Sequence, residues 1–339
     1  MAEIRYDVVG IGNAIVDVLA HAEDRLLDDL GLTKGAMTLI DEKQASRLYE
    51  RMGPAIECSG GSAANTIAGL ASLGGKGAFI GKLRDDQLGA VFRHDIRSLG
   101  IAFESRLAAD GAPTARCLIF VTADAERTMQ TYLGASVDLR PDDIDEAIIA
   151  AAGITYLEGY LWDPPMAKEA FVKAAAVAHR AGRLVSLSLS DPFCVDRHRA
   201  DFLDLVEHHV DVLFANEEEI ASLYQVDGFD DALQRVRGHC RVAALTRGGK
   251  GSLVISGDEI HVIDAEPVAR VVDSTGAGDA YAAGFLFGLT RDFGLADCGR
   301  MASIAAAEVI GHFGARPEVP LKELMAKKNH MRARPWQIP

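Results

Sequence analysis

The residues best suited to chemistry form one short segment, Asp-Ser-Thr-Gly-Ala-Gly-Asp-Ala-Tyr at residues 273–281. The apolar run before it, residues 268–272, is typical of a buried strand, and the small and apolar residues after it predict a buried helix. A glycine turn between a strand and a helix directs backbone N–H groups and the positive end of the helix dipole toward an anion. Gly276 and Gly278 leave room for a phosphate to approach and permit positive φ.

Asp279 stands out in this segment because its carboxylate would repel the anion that its neighbours attract. A carboxylate is explained here if Asp279 acts as a general base, which takes a proton from a hydroxyl group. The backbone N–H groups would then hold the phosphoryl group that this hydroxyl attacks. The alternative is structural, since an acidic residue in the first turn of a helix is common. The segment therefore indicates phosphoryl transfer, with a plain helix N-terminus as the alternative.

A second polar group follows the predicted strand at residues 212–215, where Asn216 precedes three glutamates that end at Glu219. Asn216 and Glu219 are about one helical turn apart, near the carboxyl end of a strand. They could organise water around Mg²⁺, which keeps several waters and takes few protein ligands. The alternative is an N-capping Asn with acidic residues in the first turn of a helix.

Composition and charge exclude several classes of protein. The chain has 339 residues, of which 49% are hydrophobic and 25% charged, as is usual for an enzyme built on a large α/β domain. A formal net charge of −14 argues against nucleic acid or a membrane as a partner. The five cysteines are widely spread, and no signal core or membrane span is present. We therefore expect a cytoplasmic protein with small-molecule ligands.

Two common nucleotide-binding motifs are absent. The turn after the first predicted strand has Gly10 and Gly12, but Ile15 stands where the dinucleotide fingerprint needs a third glycine. Each Gly-Lys pair lacks the upstream glycine and the following Ser or Thr of a P-loop. The sequence therefore disfavours an NAD-dependent oxidoreductase and a P-loop enzyme.

The elements that must position these residues alternate between strand and helix from residue 141 onward. Such alternation predicts an α/β fold with a mostly parallel sheet and helices on both faces. Residues 13–41 and 100–133 are less helical, with strand-like runs at residues 116–122 and 128–132.

The segment at residues 273–281 resembles the C-terminal signature of the ribokinase-like (PfkB) carbohydrate and nucleoside kinases. A second segment, Gly-Gly-Ser-Ala-Ala-Asn-Thr at residues 60–66, resembles the N-terminal signature of the same family. It continues into Leu-Gly-Gly at residues 73–75 and Gly-Lys-Leu-Arg-Asp-Asp-Gln-Leu-Gly at residues 81–89. The likeness extends over residues 7–317.

The resemblance implies a ribokinase-like α/β fold with a small β-sheet lid over the substrate. Residues 13–41 and 100–133 would form the lid. Residues 1–12, 42–99 and 134–339 would form the large nucleotide-binding and catalytic domain. Members of the family occur as monomers and as homodimers, and both are left open for this chain.

The resemblance also assigns roles around the acceptor. Asp279 would be the catalytic base, with the backbone amides of Gly276, Ala277 and Gly278 as the anion hole. Arg127, before a predicted lid strand, would steer a phosphate, with an exposed lid arginine as the alternative. The implied substrate-binding residues are Asn13, Asp17, Gly60, Gly61, Asn65 and Asp279. For Asp17, the alternative is a surface acid on the lid. For Gly60 and Gly61, the alternative is a plain loop before a helix.

On the nucleotide side the resemblance implies ATP with Mg²⁺. The implied ATP-contacting residues are Asn216, Thr246, Gly248, Gly276 and Gly278. A hairpin turn is the alternative for the segment at residues 246–251. Glu219 would act on Mg²⁺ through water, and Asp273 and Thr275 fall where several relatives hold a monovalent cation such as K⁺.

Within the family, several details are most similar to the adenosine kinases. These are the segments at residues 10–17, 187–193 and 212–217. Ser188 departs from the usual asparagine, and the turn at residues 246–251 is closer to the sugar kinases.

The resemblance therefore implies ATP-dependent phosphotransfer to the primary 5′ hydroxyl of a nucleoside, with adenosine converted to AMP as in purine salvage. A ribokinase-like or fructokinase-like sugar kinase is the alternative. A non-catalytic nucleoside-binding protein is a more remote alternative, because Asp279 and the signature glycines are retained.

Overall fold

The computed structural model describes residues 3–124 and 126–328 of the chain. Within these ranges the protein has a mixed α/β fold with two separate sheets, one of eight strands and one of five. None of the helices in the same ranges is both long and apolar enough to cross a membrane.

The elements are numbered in chain order. The strands are β1 Tyr6–Ile11, β2 Ile15–His21, β3 Met37–Leu39, β4 Ala55–Gly60, β5 Gly77–Ile80, β6 Ala115–Val121, β7 Arg127–Tyr132, β8 Ala152–Glu158, β9 Leu184–Ser188, β10 Val212–Asn216, β11 Val242–Thr246, β12 Ser252–Ser256 and β13 Glu259–Ile263. The α-helices are α1 Asp24–Leu30, α2 Glu42–Tyr49, α3 Ser62–Ser72, α4 Gln87–Ser98, α5 Glu146–Ala150, α6 Pro165–Arg180, α7 Pro192–Arg197, α8 Arg199–His208, α9 Glu217–Tyr224, α10 Phe229–Val236, α11 Ala277–Leu289, α12 Leu295–Val309 and α13 Leu321–Lys327. Short 3₁₀ helices occupy Gly134–Asp138, Pro141–Asp143, Gly159–Trp162 and Gly248–Lys250.

The eight-stranded sheet has the strand order β13-β12-β11-β10-β9-β8-β1-β5. Neighbours from β11 to β5 run parallel, and β12 and β13 join antiparallel at one edge. Val9 belongs to the same apolar core as Phe171 of α6, whereas Val8 belongs to the core that contains Phe285 of α11. Helices therefore cover both faces, which explains why β1 is apolar on both sides. The predicted α/β class with a mostly parallel sheet is confirmed.

The five-stranded sheet, which we call the lid sheet, has the order β3-β7-β6-β2-β4. The two predicted strand-like runs are present in it as β6 and β7. β4, at Ala55–Gly60, also belongs to the lid sheet, because it pairs antiparallel with β2. The expected boundaries placed residues 42–99 wholly in the large domain, so this strand is a correction to them. The remainder of that division stays a prediction, and its last part, residues 329–339, lies outside the described residues.

The strand predicted at residues 268–272 is not formed. Val271 is 56% exposed, and the Val272 N–H donates to the Ile310 carbonyl, at the end of α12, over 2.8 Å. This apolar run lies instead as irregular backbone beside the end of α12 and leads into the turn before α11.

Helix α11 is held by close backbone contacts on two sides. A Cβ atom at Gly284 would lie 2.7 Å from the Ala302 Cα atom in α12. A Cβ atom at Gly69 of α3 would lie 2.8 Å from the Ala283 Cβ atom. Because glycine lets the helices approach this closely, α11 has little freedom to shift, and the segment at its start is fixed in place.

We predict that Gly284→Ala destabilises the protein, because the new methyl group would meet backbone atoms of α12 that cannot rotate away. Overpacking of this kind costs about 1–3 kcal/mol. Thermal unfolding should show a clear fall in Tm. Gly53→Ala is the matched control, since a Cβ atom there meets nothing within 4 Å. Equal Tm values for the two variants would contradict the close packing of α11 on α12.

Candidate active site

A cavity of about 1260 Å³ lies between the carboxyl ends of the large-sheet strands and the lid sheet. The last residues of β8, β10 and β11, which are Glu158, Asn216 and Thr246, all line it. Ligands of open α/β sheets bind at this end of the strands. Of the residues predicted to form a site, all line the cavity except Gly60 and Asp273. The fold therefore gathers residues that are far apart in the sequence.

Asp279 lies in the first turn of α11 and lines this cavity. Its Oδ1 accepts a hydrogen bond from Ser62 Oγ at 2.6 Å, and its Oδ2 accepts one from Asn65 Nδ2 at 3.4 Å. Burial raises the pKa of the Asp279 carboxyl to about 6, although both hydrogen bonds act to lower it. A carboxylate with a pKa slightly below neutrality is suited to general-base catalysis.

The start of α11 fits the predicted anion hole in part. Gly276 has a φ of 77°, and a Cβ atom there would lie 2.7 Å from Ala315, so only glycine suits this position. The Ala277 N–H donates to the Ser274 carbonyl at 3.2 Å. Among residues 3–124 and 126–328, no acceptor is found for the N–H groups of Gly276 and Gly278, and a Cβ atom at Gly278 would meet open space. These two N–H groups fit a phosphate at a helix N-terminus.

Asp17 faces the cavity from the middle of β2 in the lid sheet. Burial raises the pKa of its carboxyl to about 6. Gly60 lies directly beside this carboxyl, because a Cβ atom there would collide with the carboxylate. The absence of a side chain at Gly60 therefore makes room for Asp17. Gly61 has a φ of 95° and passes close to the Asn13 carbonyl, so it requires glycine on both grounds.

Glu158 is a site residue that the sequence did not single out. It is 1% exposed, and its carboxylate accepts hydrogen bonds from the backbone N–H of Asn13 at 3.2 Å, from Asn13 Nδ2 at 2.7 Å and from the Ala63 N–H at 2.7 Å. Burial raises the pKa of Glu158 to about 7. The Asn13 Oδ1 in turn accepts from Ser136 Oγ at 2.9 Å. The available signal was an acidic residue that ends an apolar strand at the carboxyl edge of the sheet.

Arg127 is buried at the start of β7, where it forms an ion pair with Asp273. The Asp273 carboxylate also accepts from the Thr275 N–H at 2.9 Å and from the Gly314 N–H at 3.2 Å. Burial alone would raise the pKa of Asp273, but these donors and the Arg127 charge lower it below its ordinary value. Both oxygens of the Asp273 carboxylate are thus engaged by protein donors, and the role of Asp273 and Thr275 at a monovalent cation stays a prediction.

Asn216 and Glu219 form a reciprocal cap at the start of α9. Asn216 Oδ1 accepts from the Glu219 N–H at 2.8 Å, and the Glu219 carboxylate accepts from the Asn216 N–H and Nδ2 at 3.0 and 2.7 Å. Burial raises the pKa of Glu219 to about 7. Asn216 is therefore an N-capping residue, as the structural alternative predicted, and a role of Asn216 and Glu219 near Mg²⁺ stays a prediction. Within the described ranges, no three His, Cys, Asp or Glu residues are grouped closely enough to hold a metal ion.

On the nucleotide side, Thr246 and Gly248 line the cavity at the end of β11. Gly248 has a φ of 53°, which favours glycine at this turn. A second residue that the sequence did not single out, Arg316, lines the cavity from the loop after α12. Its Nε donates to Asn65 Oδ1 at 3.0 Å, and its Nη1 donates to Asp95 Oδ2 at 3.2 Å.

Comparison with known proteins identifies the family. Residues 56–322 match the family model of the pfkB family carbohydrate kinases. The solved structure of adenosine kinase from Sinorhizobium meliloti has a sequence 50% identical to this chain and superimposes with a TM-score of 0.88. The match covers 96% of this chain and 99% of that one. A probable sugar kinase from Rhizobium etli CFN 42 is 49% identical, with the same TM-score and coverage. Probable fructokinase-6 of Arabidopsis thaliana is 30% identical over 78% of this chain and 72% of its own length.

The matched family model spans well over half of the chain and contains both signature segments. The similar solved structures cover nearly the whole of both chains. The predicted resemblance and the predicted fold class are therefore confirmed. The chain belongs to the pfkB family of carbohydrate kinases.

Proposed function

We propose that this chain transfers the terminal phosphoryl group of ATP to the primary 5′ hydroxyl of a nucleoside, with adenosine as the favoured acceptor. The observation that carries the proposal is the start of α11. There the Asp279 carboxylate, held by Ser62 and Asn65, lies next in the chain to the open amide of Gly278 and close to that of Gly276. A base and an anion site in one helical turn suit transfer between a hydroxyl and a phosphoryl group.

Each residue then has a defined task. Asp17 accepts hydrogen bonds from acceptor hydroxyls, and Asp279 accepts the proton of the hydroxyl that attacks. The amides of Gly276 and Gly278 hold the phosphoryl oxygens. Mg²⁺ bound with ATP supplies neutralisation of phosphate charge, and Asn216 and Glu219 are the residues near which it would be held through water. Phosphoryl transfer needs mainly such positioning and charge stabilisation.

Two observations support a nucleoside as the acceptor. The 50% identical solved structure is an adenosine kinase. The lid side of the cavity is also strongly apolar, which suits the faces of a purine better than a polyhydroxylated sugar. The apolar lid residues that line it include Leu19, Met37, Leu39, Ile119 and Met129. The volume of about 1260 Å³ exceeds that of a usual single-ligand pocket, as two bound molecules require.

A sugar kinase is the second candidate, and specific observations favour it too. The Rhizobium etli relative is described as a probable sugar kinase, and the Arabidopsis relative as a probable fructokinase. Such an enzyme would use the same Asp279 and the same amides and would differ in the lid side of the cavity. We leave K⁺ out of the proposal, because Arg127 already neutralises Asp273.

The first test is ADP release with Mg·ATP against adenosine, inosine, guanosine, ribose, fructose and no acceptor. We expect selective turnover with adenosine, and a fall in kcat of about 10²- to 10⁴-fold in Asp279→Asn because the base is lost. Asp258→Asn is the control, since its side chain is fully exposed in a turn. Turnover with a sugar alone would overturn the acceptor. Full activity of Asp279→Asn would overturn the mechanism, and no turnover with any of these acceptors would refute the proposed function together with its sugar-kinase alternative.

The second test is the pH dependence of kcat/KM. Because the pKa of Asp279 is raised to about 6, its carboxylate is protonated and inactive as a base below that pH. We expect activity to fall by about tenfold per pH unit on the acid side of about pH 6. The Asp17 charge helps to raise this pKa, so Asp17→Asn should move the acid limb to lower pH in the activity that remains. A rate that stays constant down to about pH 4.5 would contradict the assignment of Asp279 as the base.

A further inference from the structure

Arg316 links the catalytic helix to the helix that carries the substrate-side asparagine. It lies in the loop after α12, next to Ala315, which packs directly against Gly276. Its Nε donates to Asn65 Oδ1 at 3.0 Å. Asn65 Nδ2 in turn donates to Asp279 Oδ2 at 3.4 Å. The guanidinium is thus one side chain removed from the proposed base.

The chemistry of the side chains makes this arrangement directional. A guanidinium has only donors, so it must face the oxygen of the Asn65 amide and not its nitrogen. With the oxygen taken by Arg316, the amide nitrogen of Asn65 is left to face Asp279. Without Arg316, the amide could turn over and place its oxygen against the carboxylate, which would repel it.

The other end of Arg316 is tied to the lid sheet. Its Nη1 donates at 3.2 Å to Asp95 Oδ2, on α4. The same carboxylate oxygen accepts from the Ser59 N–H at 2.8 Å and from Ser59 Oγ at 2.5 Å. Ser59 belongs to β4 of the lid sheet and immediately precedes Gly60. One carboxylate therefore holds both the arginine and the lid strand.

We propose that Arg316 and Asp95 form a positioning pair, which orients Asn65 toward the base Asp279 and couples lid strand β4 to the start of α11. The proposal rests on the proposed function, because it assigns a task to groups around that same site. Arg316 acts through Asn65 and contributes its charge to the site. Asp95 acts through Arg316 and Ser59.

The charge and the geometry of Arg316 can be separated by substitution. Arg316→Gln removes the positive charge and the paired donors, whereas Arg316→Lys keeps the charge but offers a single nitrogen to two acceptors. The groups that face Asp279 are Asp17 from β2, Glu158 and the tyrosines Tyr156 and Tyr160 from β8 and the turn after it, Ser62 and Asn65 from α3, and Arg316 itself. Of these, Arg316 is the cation, and its charge lowers the pKa of Asp279.

The experiment measures kcat, KM and the pH profile of phosphoryl transfer for wild type, Arg316→Gln, Arg316→Lys and Asp95→Asn. We expect kcat to fall by up to about 10²-fold in Arg316→Gln and by less in the other two, with the KM for ATP nearly unchanged. The acid limb should move to higher pH in Arg316→Gln and stay in place in Arg316→Lys. A purely structural role would produce neither the pH shift nor its rescue by lysine.

Arg291→Gln is the matched control, because it breaks a comparable ion pair with Asp7 at 2.7 Å, and neither residue lines the cavity. It should retain the wild-type kcat, and Tm is measured for every variant. A folded Arg316→Gln with the wild-type kcat and pH profile would overturn the inference. So would a fall in kcat that, across the variants, is fully accounted for by the fall in Tm. A wild-type protein that phosphorylates no acceptor would instead refute the proposed function, and the inference with it.

Discussion

The close approach of backbones around α11 is the constraint on which the site depends. Gly284 brings α11 against α12, and Gly69 brings α3 against α11. These contacts fix the direction of α11, and its first turn then lies where Gly276 touches Ala315. The base and the open amides are consequently carried by rigid helices, with the lid sheet as the element that faces them. Rigid support of this kind is what positioning catalysis requires.

The electrostatics of the cavity work against the stability of the fold. Burial raises the pKa values of Asp17 and Asp279 to about 6 and that of Glu158 to about 7. Carboxyl groups with raised pKa values hold protons more strongly in the folded protein than in the unfolded chain. Their contribution therefore favours the folded state at low pH and is lost as the pH rises from about 4 to about 7. At neutral pH the ionised site costs stability, which the two apolar cores offset.

The sequence predicted the parts of the structure that depend on local pattern. The alternation of strands and helices gave the mostly parallel sheet, and the apolar runs gave β6 and β7. The family resemblance placed both Asp279 and Asn65 among the substrate-binding residues, and the structure brings them within hydrogen-bond distance although they are 214 residues apart. The sheet and the strands follow from residue types and spacing within single segments, whereas the roles of Asp279 and Asn65 follow from the resemblance.

The features that were missed depend on partners distant in the chain. Residues 268–272 have a strand-like composition, but the Val272 N–H donates to the Ile310 carbonyl at the end of α12 and the run forms no strand. The role of Glu158 depends on its hydrogen bond with Asn13, 145 residues away, and the role of Arg316 depends on its hydrogen bond with Asn65, 251 residues away. Nothing in the local pattern marks Arg316 as different from a surface charge, and the place of Glu158 at the end of an apolar strand does not identify its partner. The engagement of Asp273 by Arg127 likewise follows only from the closure of the lid sheet on the large sheet.

The most direct measurement of the central claim is a single-turnover experiment, in which enzyme with bound adenosine is mixed with saturating Mg·ATP and AMP is quantified over time. If Asp279 is the base, Asp279→Asn should bind adenosine with nearly the wild-type affinity and form AMP about 10²- to 10⁴-fold more slowly. An equal rate of AMP formation in the two proteins would contradict the account, because the reaction would then need no proton acceptor at the start of α11.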